Sequence, residues 1–170
     1  MGLDLTHCIE LIENEYKTVL PATLLSNYWT RSFAAFETEL ICVPDDDSII
    51  ASLDCPIAVA SCSGHKELRF TLGLVDLYQR FNGHIYSVED VERGKSHPDV
   101  YLHAAEQLDV RPERCAVIED SVNGAKAGVA AGMTVFGYAG LTDAESLSQT
   151  GARVFEQMNE LYLLLESTFS

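Results

Sequence analysis

Two adjacent carboxylates, Glu119 and Asp120, follow an apolar run at residues 115–118 and precede a glycine-containing helical stretch at residues 121–131. This pattern predicts a strand that ends, presents two acids and turns into a helix; in open α/β sheets, ligands bind at such strand ends. Two acids together suit a hard cation such as Mg²⁺, which takes oxygen ligands and shares them with a phosphate. The pair is equally compatible with an acidic helix start, where negative side chains favour the positive end of the helix dipole.

Other polar residues are expected at the same edge of the sheet. The apolar run at residues 55–60 predicts a buried strand, which ends in Ser61, Cys62 and Ser63. A hydroxyl and backbone N–H groups at a helix start can hold a phosphate, and a lysine such as Lys95 can neutralise phosphoryl charge. Taken alone, Ser61 is typical of a helix N-cap and Lys95 of an exposed loop. Together with the two acids, they predict most of a phosphoryl-transfer site.

The chain divides into two segments of different pattern. Residues 1–44 have apolar side chains at spacings of three and four, which predicts helices interrupted near Pro21. From residue 45 to residue 170, short apolar runs alternate with helical stretches. That alternation predicts an α/β domain with a parallel sheet and helices on both faces.

Two local signals refine this α/β segment. Gly124 and Gly128 lie four residues apart in one predicted helix and allow that helix to approach the sheet closely. Thr142 and Glu145 have the spacing of a capping box. We therefore expect a close helix–sheet contact at the first pair and a helix start at the second.

The composition excludes several classes of protein. The chain has 26 acidic and 11 basic side chains, for a net charge of −15. Nucleic-acid binding rests on Lys and Arg neutralising phosphates, so this charge argues against a nucleic-acid partner and against anionic membrane surfaces. No apolar run approaches the length of a membrane span. The five cysteines form no C-x-x-C pair, and no signal-peptide pattern begins the chain, which favours reduced thiols in a cytoplasmic protein.

Three segments carry a family resemblance: residues 59–64 (VASCSG), 94–108 (GKSHPDVYLHAAEQL) and 115–138 (CAVIEDSVNGAKAGVAAGMTVFGY). They resemble motifs of the haloacid dehalogenase (HAD) superfamily, in particular of its β-phosphoglucomutase-like phosphatases, which include sugar-phosphate and 6-phosphogluconate phosphatases. The resemblance implies a Rossmann-like α/β core over residues 45–170 and a partial helical cap over residues 1–44. It also implies a Mg²⁺-dependent phosphatase of small phosphorylated metabolites.

The resemblance assigns roles to individual residues. Ser61 matches the family's phosphate-binding serine, and Cys62 and Ser63 lie beside it in the implied substrate site. Lys95 matches the lysine that stabilises the phosphoryl group and the nucleophile. The acidic pair at 119–120 matches the residues that bind Mg²⁺ directly or through water.

One family motif has no counterpart after an apolar strand in this sequence. It is Asp-x-Asp-x-Thr, on a first strand near the N-terminus, whose first Asp attacks phosphorus and forms an aspartyl-phosphate. We therefore expect a core without that strand, which the family places between the strands ending at Ser61 and Glu119. We expect the chain as given to be inactive and to expose strand edges through which copies could associate. Two alternatives stay open: a non-catalytic pseudophosphatase or interaction module, and a phosphomutase.

Overall fold

The structure, a computed structural model, describes residues 5–44, 46–81 and 83–169. Asp45, at the predicted boundary between the two segments, lies outside the described residues. Helices and strands alternate along most of the chain. The helices are α1 (Leu5–Tyr16), α2 (Thr23–Glu39), α3 (Asp46–Ser52), α4 (His65–Leu74), α5 (Asp99–Gln107), α6 (Val122–Ala130), α7 (Ala144–Ser148) and α8 (Leu161–Phe169). The strands are β1 (Val59–Ser61), β2 (Ile85–Ser87), β3 (Ala116–Glu119), β4 (Thr134–Tyr138) and β5 (Arg153–Phe155).

The first segment folds into the two helices that its spacing predicts, and Pro21 lies between them. None of the described α2 side chains is buried. The helix contacts α4 through its aromatic face, where the rings of Phe33 and Phe70 have centroids 4.6 Å apart. Lys66 Nζ lies 5.3 Å from the centroid of the Phe33 ring. Through these contacts α2 packs against α4, and a separate helical segment over residues 1–44 remains a prediction.

The strands of the described residues form two parallel sheets. β1 pairs with β2, with Val59 opposite Ile85 and Ser61 opposite Ser87. In the other sheet β4 lies between β3 and β5. Every pair is parallel, as the alternation of strands and helices predicts. The break between the sheets falls between β1 and β3, where the resemblance puts a further strand.

Two apolar clusters cover the opposite faces of the larger sheet. Val135 and Phe136, adjacent in β4, belong to different clusters. Because successive side chains of a strand point to opposite faces, the clusters lie on opposite sides of the sheet. Side chains from α5, α6 and α7 build the first cluster, and side chains from α3 and α8 build the second. This arrangement confirms the prediction of helices on both faces.

Two boundaries differ from the sequence expectations. The strand predicted over residues 55–60 pairs only from Val59 onward, because β1 has a single described neighbour and β2 is short. The capping box predicted for Thr142 and Glu145 is wrong. Asp143 caps α7 instead, and its Oδ2 accepts from the Ser146 N–H over 2.8 Å.

The glycines of α6 allow the close approach that their spacing predicts. A Cβ atom at Gly128 would lie 2.7 Å from Cγ2 of Val135 in β4. A Cβ atom at Gly124 would fall on the carboxyl group of Glu119. The helix therefore rests directly on the strands, and the space at Gly124 is taken by a side chain of the predicted site.

None of the helices within the described ranges has the length and apolarity needed to cross a membrane. The cysteines in those ranges form no disulfide.

Candidate functional site

A buried ion pair lies at the end of β3. Lys95 Nζ donates to Oε2 of Glu119 over 2.7 Å, and the two side chains are only 9% and 8% exposed. The hydroxyl of Tyr101, on α5, donates to the same oxygen over 2.7 Å. Lys95 Nζ also lies 4.8 Å from the centroid of the Tyr101 ring. The pair therefore joins the strand end to the loop before α5, 24 residues earlier in the chain.

The second oxygen of Glu119 is also fully engaged. Oε1 accepts from the N–H groups of Asp120 and Ser121, over 3.1 and 2.9 Å, and from the Ser121 hydroxyl over 2.8 Å. Oγ of Ser121 in turn accepts from the Gly124 N–H over 3.0 Å and caps α6. The Glu119 carboxylate is thus held inward by donors from three segments of the chain.

This network sets the protonation states of its members. Burial alone would raise the pKa of Glu119, but the charge of Lys95 and the hydrogen bonds from Lys95 and Tyr101 hold that pKa well below its usual range. Burial and the adjacent Glu119 carboxylate raise the pKa of Tyr101. At neutral pH Glu119 is therefore an anion and Tyr101 keeps the proton that it donates.

Asp120 has a different environment from its neighbour. Its side chain is exposed, whereas Glu119 is buried. Partial burial of its carboxylate and the neighbouring Glu119 raise the pKa of Asp120. A bound cation would favour the ionised form of such a carboxylate, because opposite charges stabilise each other.

A hard cation at this edge of the sheet would need oxygen ligands. In the described ranges, no group of three or more His, Cys, Asp or Glu side chains is placed to hold a metal ion. Mg²⁺ commonly takes one or two protein carboxylates and fills its other positions with water and phosphate. The residues present fit such a cation through Asp120, with Glu119 turned inward; direct ligation by Glu119 stays a prediction.

The loop after β1 reaches the same edge. Ser61 is the last residue of β1, and its Oγ accepts from the Ser63 N–H over 3.1 Å. The carbonyl of Ser63 accepts from the Ser87 hydroxyl over 2.8 Å, which ties the ends of β1 and β2 together. Cys62 lies near enough to Tyr101 to contribute to the raised pKa of the phenol. The structure thus brings the predicted phosphate-binding loop toward the buried ion pair.

A polar cluster follows β2. Asp90 accepts from the Ser87 N–H over 2.8 Å, and its Oδ1 lies 2.8 Å from Nε2 of His65. Glu89 Oε2 accepts from the His65 N–H over 3.1 Å. These contacts fix the short 3₁₀ helix after β2 against the start of α4.

Sequence patterns did not identify Tyr101 or Ser121 as parts of the site. A signal for each was present in hindsight. The phenol of a buried tyrosine usually finds a hydrogen-bond partner, and Tyr101 lies on the inner face of α5. A serine directly before a helix is a common N-cap, and Ser121 has that position in front of α6.

A parallel α/β core with a buried lysine–carboxylate pair at the carboxyl ends of its strands defines a Rossmann-like protein with a polar site at the sheet edge. Residues 15–132 match the family model of the haloacid dehalogenase-like hydrolases. The chain belongs to this family, as its three motifs predict.

Similar proteins support the same assignment. A 6-phosphogluconate phosphatase of Escherichia coli is 27% identical over 136 residues, which are 79% of this chain. A haloacid dehalogenase-like protein of Agrobacterium tumefaciens is 30% identical, with a TM-score of 0.82 over 97% of this chain and 78% of that one. A HAD family hydrolase of Deinococcus radiodurans, crystallised with bound phosphate and sodium, is 34% identical, with a TM-score of 0.78 over 99% of this chain and 77% of that one. The chain spans 62% of the length of the Escherichia coli phosphatase.

Proposed function

We propose that this protein is a Mg²⁺-dependent phosphatase of small phosphorylated metabolites such as sugar phosphates. The carboxyl ends of β1 and β3 would then form the phosphate-binding part of its active site, called the half-site below. The observation that carries the proposal is the buried pair of Lys95 and Glu119 beside the exposed Asp120. The relatives support the substrate class, since one is a 6-phosphogluconate phosphatase and another was crystallised with phosphate.

Lys95 and the loop after β1 would bind the phosphoryl group. A lysine ammonium has three N–H donors, and Glu119 and the Tyr101 ring orient that of Lys95. Another of its donors can therefore reach a phosphate oxygen and stabilise charge that develops there. The Ser61 hydroxyl and the backbone N–H groups that precede α4 would bind further oxygens, since helix N-termini favour anions.

Asp120 would hold the cation, and Glu119 would position Lys95 from the inner side. A bound Mg²⁺ would supply neutralisation of the phosphate charge. The network around Glu119 keeps this carboxylate ionised, so the Lys95 ammonium has a fixed partner whether or not substrate is bound.

For the 170 residues alone we expect binding without turnover, because their sequence has no segment that resembles the family's nucleophile motif after an apolar strand. We also place the protein in the cytoplasm, which the cysteines support, since the described ones form no disulfide.

Phosphate binding tests the half-site directly. Calorimetric titration of the 170-residue chain with inorganic phosphate, in the presence of MgCl₂, should give saturable binding. Ser61→Ala and Lys95→Met should each weaken it by about tenfold or more, because each removes a hydrogen bond to a charged group. Lys126→Met, which removes an exposed lysine of α6, is the matched control. Absence of phosphate binding by the folded chain would refute the half-site.

Turnover separates the enzyme from a binding module. Release of phosphate from p-nitrophenyl phosphate and a panel of sugar phosphates is measured for the 170-residue chain and for a form to which a strand with the family's Asp-x-Asp-x-Thr motif is added before Met1. We expect release only from the extended form and only with Mg²⁺. Release by the shorter chain would show that another carboxylate supplies the nucleophile. Phosphate binding without release by either form would favour a non-catalytic module.

A further inference from the structure

Lys95 lies in a short loop that leads from the 3₁₀ helix after β2 to the start of α5. The residues of this loop at positions 92, 93, 96 and 97 are exposed, so little packing holds its backbone. The Lys95 side chain is different, since it turns inward and is only 9% exposed. Because the loop backbone carries this buried charge, the position of the ammonium group depends on how well that backbone is held.

A forked ion pair, called the clamp below, closes this loop. It joins Arg93, two residues before Lys95, to Asp99, the first residue of α5. Nε of Arg93 donates to Oδ2 of Asp99 over 2.9 Å, and Nη2 donates to Oδ1 over 2.9 Å. Two parallel hydrogen bonds fix the orientation of the partners as well as their distance. Such geometry makes a pair effective where single exposed ion pairs contribute little.

The two ends of the clamp differ in how firmly the rest of the protein holds them. Val100 and Tyr101, which follow Asp99 on α5, are 1% and 6% exposed and belong to the core. The Asp99 side chain is 17% exposed, whereas that of Arg93 is 59% exposed. The start of α5 is therefore the firm support, and the clamp ties the exposed beginning of the loop to it.

The clamp spans the whole loop, whereas two further contacts of the loop backbone are local. The His97 N–H donates to the carbonyl of Gly94 over 2.9 Å and closes a turn. A Cβ atom at Gly94 would lie 3.1 Å from Cγ2 of Val88, so the backbone also passes close to the 3₁₀ helix. Asp99 suits the first turn of α5 even without a partner, because negative side chains favour the helix dipole there. Its bonds to Arg93 therefore constrain the loop and are not needed to start the helix.

We propose that Arg93 and Asp99 are positioning residues for phosphate binding, because their ion pair holds the loop so that the Lys95 ammonium group points into the half-site. The inference rests on the proposed function, since the half-site is where Lys95 would bind a phosphate oxygen. The two residues act through the backbone between them and not through a contact with phosphate.

Lys95 needs this support although it already has a partner in Glu119. A bound phosphate would compete with that carboxylate for the ammonium group, because both are anions. A lysine side chain has many rotamers, which it loses when it is fixed in one place. A ligand binds more tightly to groups that are already in position, because less ordering accompanies binding. By holding the loop backbone, the clamp keeps Lys95 within reach of both anions and raises the affinity for phosphate.

Phosphate titration of clamp variants tests the proposal. Inorganic phosphate is titrated, with MgCl₂ present, into the 170-residue parent chain, Arg93→Gln, Asp99→Asn and the double variant. Each single substitution should weaken phosphate binding by about three- to tenfold. The double variant should bind about as weakly as either single variant, because each substitution already breaks the same pair. Losses that simply add in the double variant would overturn the proposal.

The two substitutions change the net charge in opposite directions, which separates the clamp from general electrostatics. General attraction between protein and phosphate would make Arg93→Gln bind more weakly and Asp99→Asn bind more tightly. The clamp predicts weaker binding in both. Arg31→Gln in α2 and Asp109→Asn in the turn after α5 are the matched controls, because each removes an exposed charge of the same sign. Tighter or unchanged binding by Asp99→Asn would overturn the proposal.

Arg93→Lys tests the fork itself. Lysine keeps the charge but donates from a single nitrogen, so it cannot form the two parallel bonds to one carboxylate. Its affinity for phosphate should lie closer to that of Arg93→Gln than to that of the parent chain. An affinity equal to that of the parent would show that charge alone is sufficient and would overturn the role of the fork.

Two NMR measurements report on the clamp without phosphate. The amide of His97 should exchange faster with solvent in Arg93→Gln and in Asp99→Asn than in the parent chain, because the turn opens more often once the loop is released. The ammonium protons of Lys95, which are buried and bonded to Glu119, should give a ¹H–¹⁵N signal in the parent chain. That signal should broaden or disappear in both variants.

These outcomes separate the clamp from the half-site. If the parent chain binds no phosphate, the half-site is refuted and the NMR measurements decide about the clamp. If the parent binds phosphate and both variants bind it equally well, the half-site stands and the clamp is refuted. Parent-like exchange at His97 together with an unchanged Lys95 signal in both variants overturns the proposal in either case.

Discussion

The ammonium group of Lys95 lies 2.7 Å from the carboxylate of Glu119, and both side chains are more than nine-tenths buried. Such pairs add little net stability compared with apolar side chains, because desolvation offsets the attraction. They do impose a specific arrangement, since either charge left alone is costly. Tyr101 donates to the same carboxylate. The ion pair therefore fixes the position of the Lys95 ammonium group at the carboxyl end of β3.

Lys95→Met tests the cost of leaving this charge unpaired. The substitution keeps much of the side-chain volume but leaves the Glu119 carboxylate buried without its cation, so the free energy of unfolding should fall by about 3 kcal/mol. Urea denaturation at pH 7 measures it. Adding Glu119→Gln should recover a large part of the loss, and the exposed Lys126→Met is the control. A loss equal to that of the control would mean that Glu119 is solvated or protonated.

Gly124→Ala should disturb the network from the side of α6. The added methyl group would fall on the Glu119 carboxyl group, so that side chain must move and its bond to Lys95 must lengthen. We expect a loss of about 1–3 kcal/mol in unfolding free energy, typical of overpacking, with weaker phosphate binding. Gly73→Ala is the matched control, because a Cβ there meets nothing within 4 Å and alanine favours the helix. Equal effects of both substitutions would contradict the close contact.

Asp120→Asn should separate cation binding from the structure of the site. The exposed carboxylate is the one that the structure leaves facing outward, so its replacement by a neutral amide should weaken Mg²⁺ binding by about tenfold or more, because hard cations prefer charged oxygen ligands. Calorimetric titration with MgCl₂ measures the affinity. Asp109→Asn removes the same charge in the turn after α5, at φ 54°, a conformation that asparagine tolerates. Unchanged affinity in Asp120→Asn would refute the cation assignment.

Local patterns predicted much of the fold, and distant contacts account for what they missed. The strand before Glu119 and the close contact of Gly124 with the sheet depend on residues that are near each other in the sequence. Periodicity and motif spacing therefore predict them. The bond from Tyr101 to Glu119 spans 18 residues, and periodicity marks Tyr101 only as apolar core. The break between β1 and β3 was expected from the family resemblance alone, because local patterns do not show which strands are neighbours. The predicted N-cap of α7, Thr142, lies one residue before the observed one. The carboxylate of Asp143 caps the helix in its place.

The pH dependence of stability should show the contribution of Asp90. Burial alone would raise the pKa of this carboxyl group, but the hydrogen bonds from the Ser87 N–H and from His65 lower it below the ordinary value. The unfolded chain, with a pKa of about 3.9 for aspartate, therefore takes up this proton at higher pH than the folded chain does. The stabilisation is complete above that value and is lost as the pH falls through the lower folded pKa.

Asp90→Asn removes the titrating group and keeps an oxygen for the Ser87 N–H. At pH 7 the free energy of unfolding of the variant should be about 1 kcal/mol lower than that of the parent chain, because the variant loses a charge-assisted hydrogen bond. This difference should shrink as the pH falls below about 3.9, because the unfolded parent chain then takes up a proton at Asp90 before the folded chain does. Urea denaturation at a series of pH values measures both curves, with Glu92→Gln as the control for an exposed acid in the same loop. A difference that stays constant down to pH 3 would show that the charge of Asp90 does not stabilise the turn after β2.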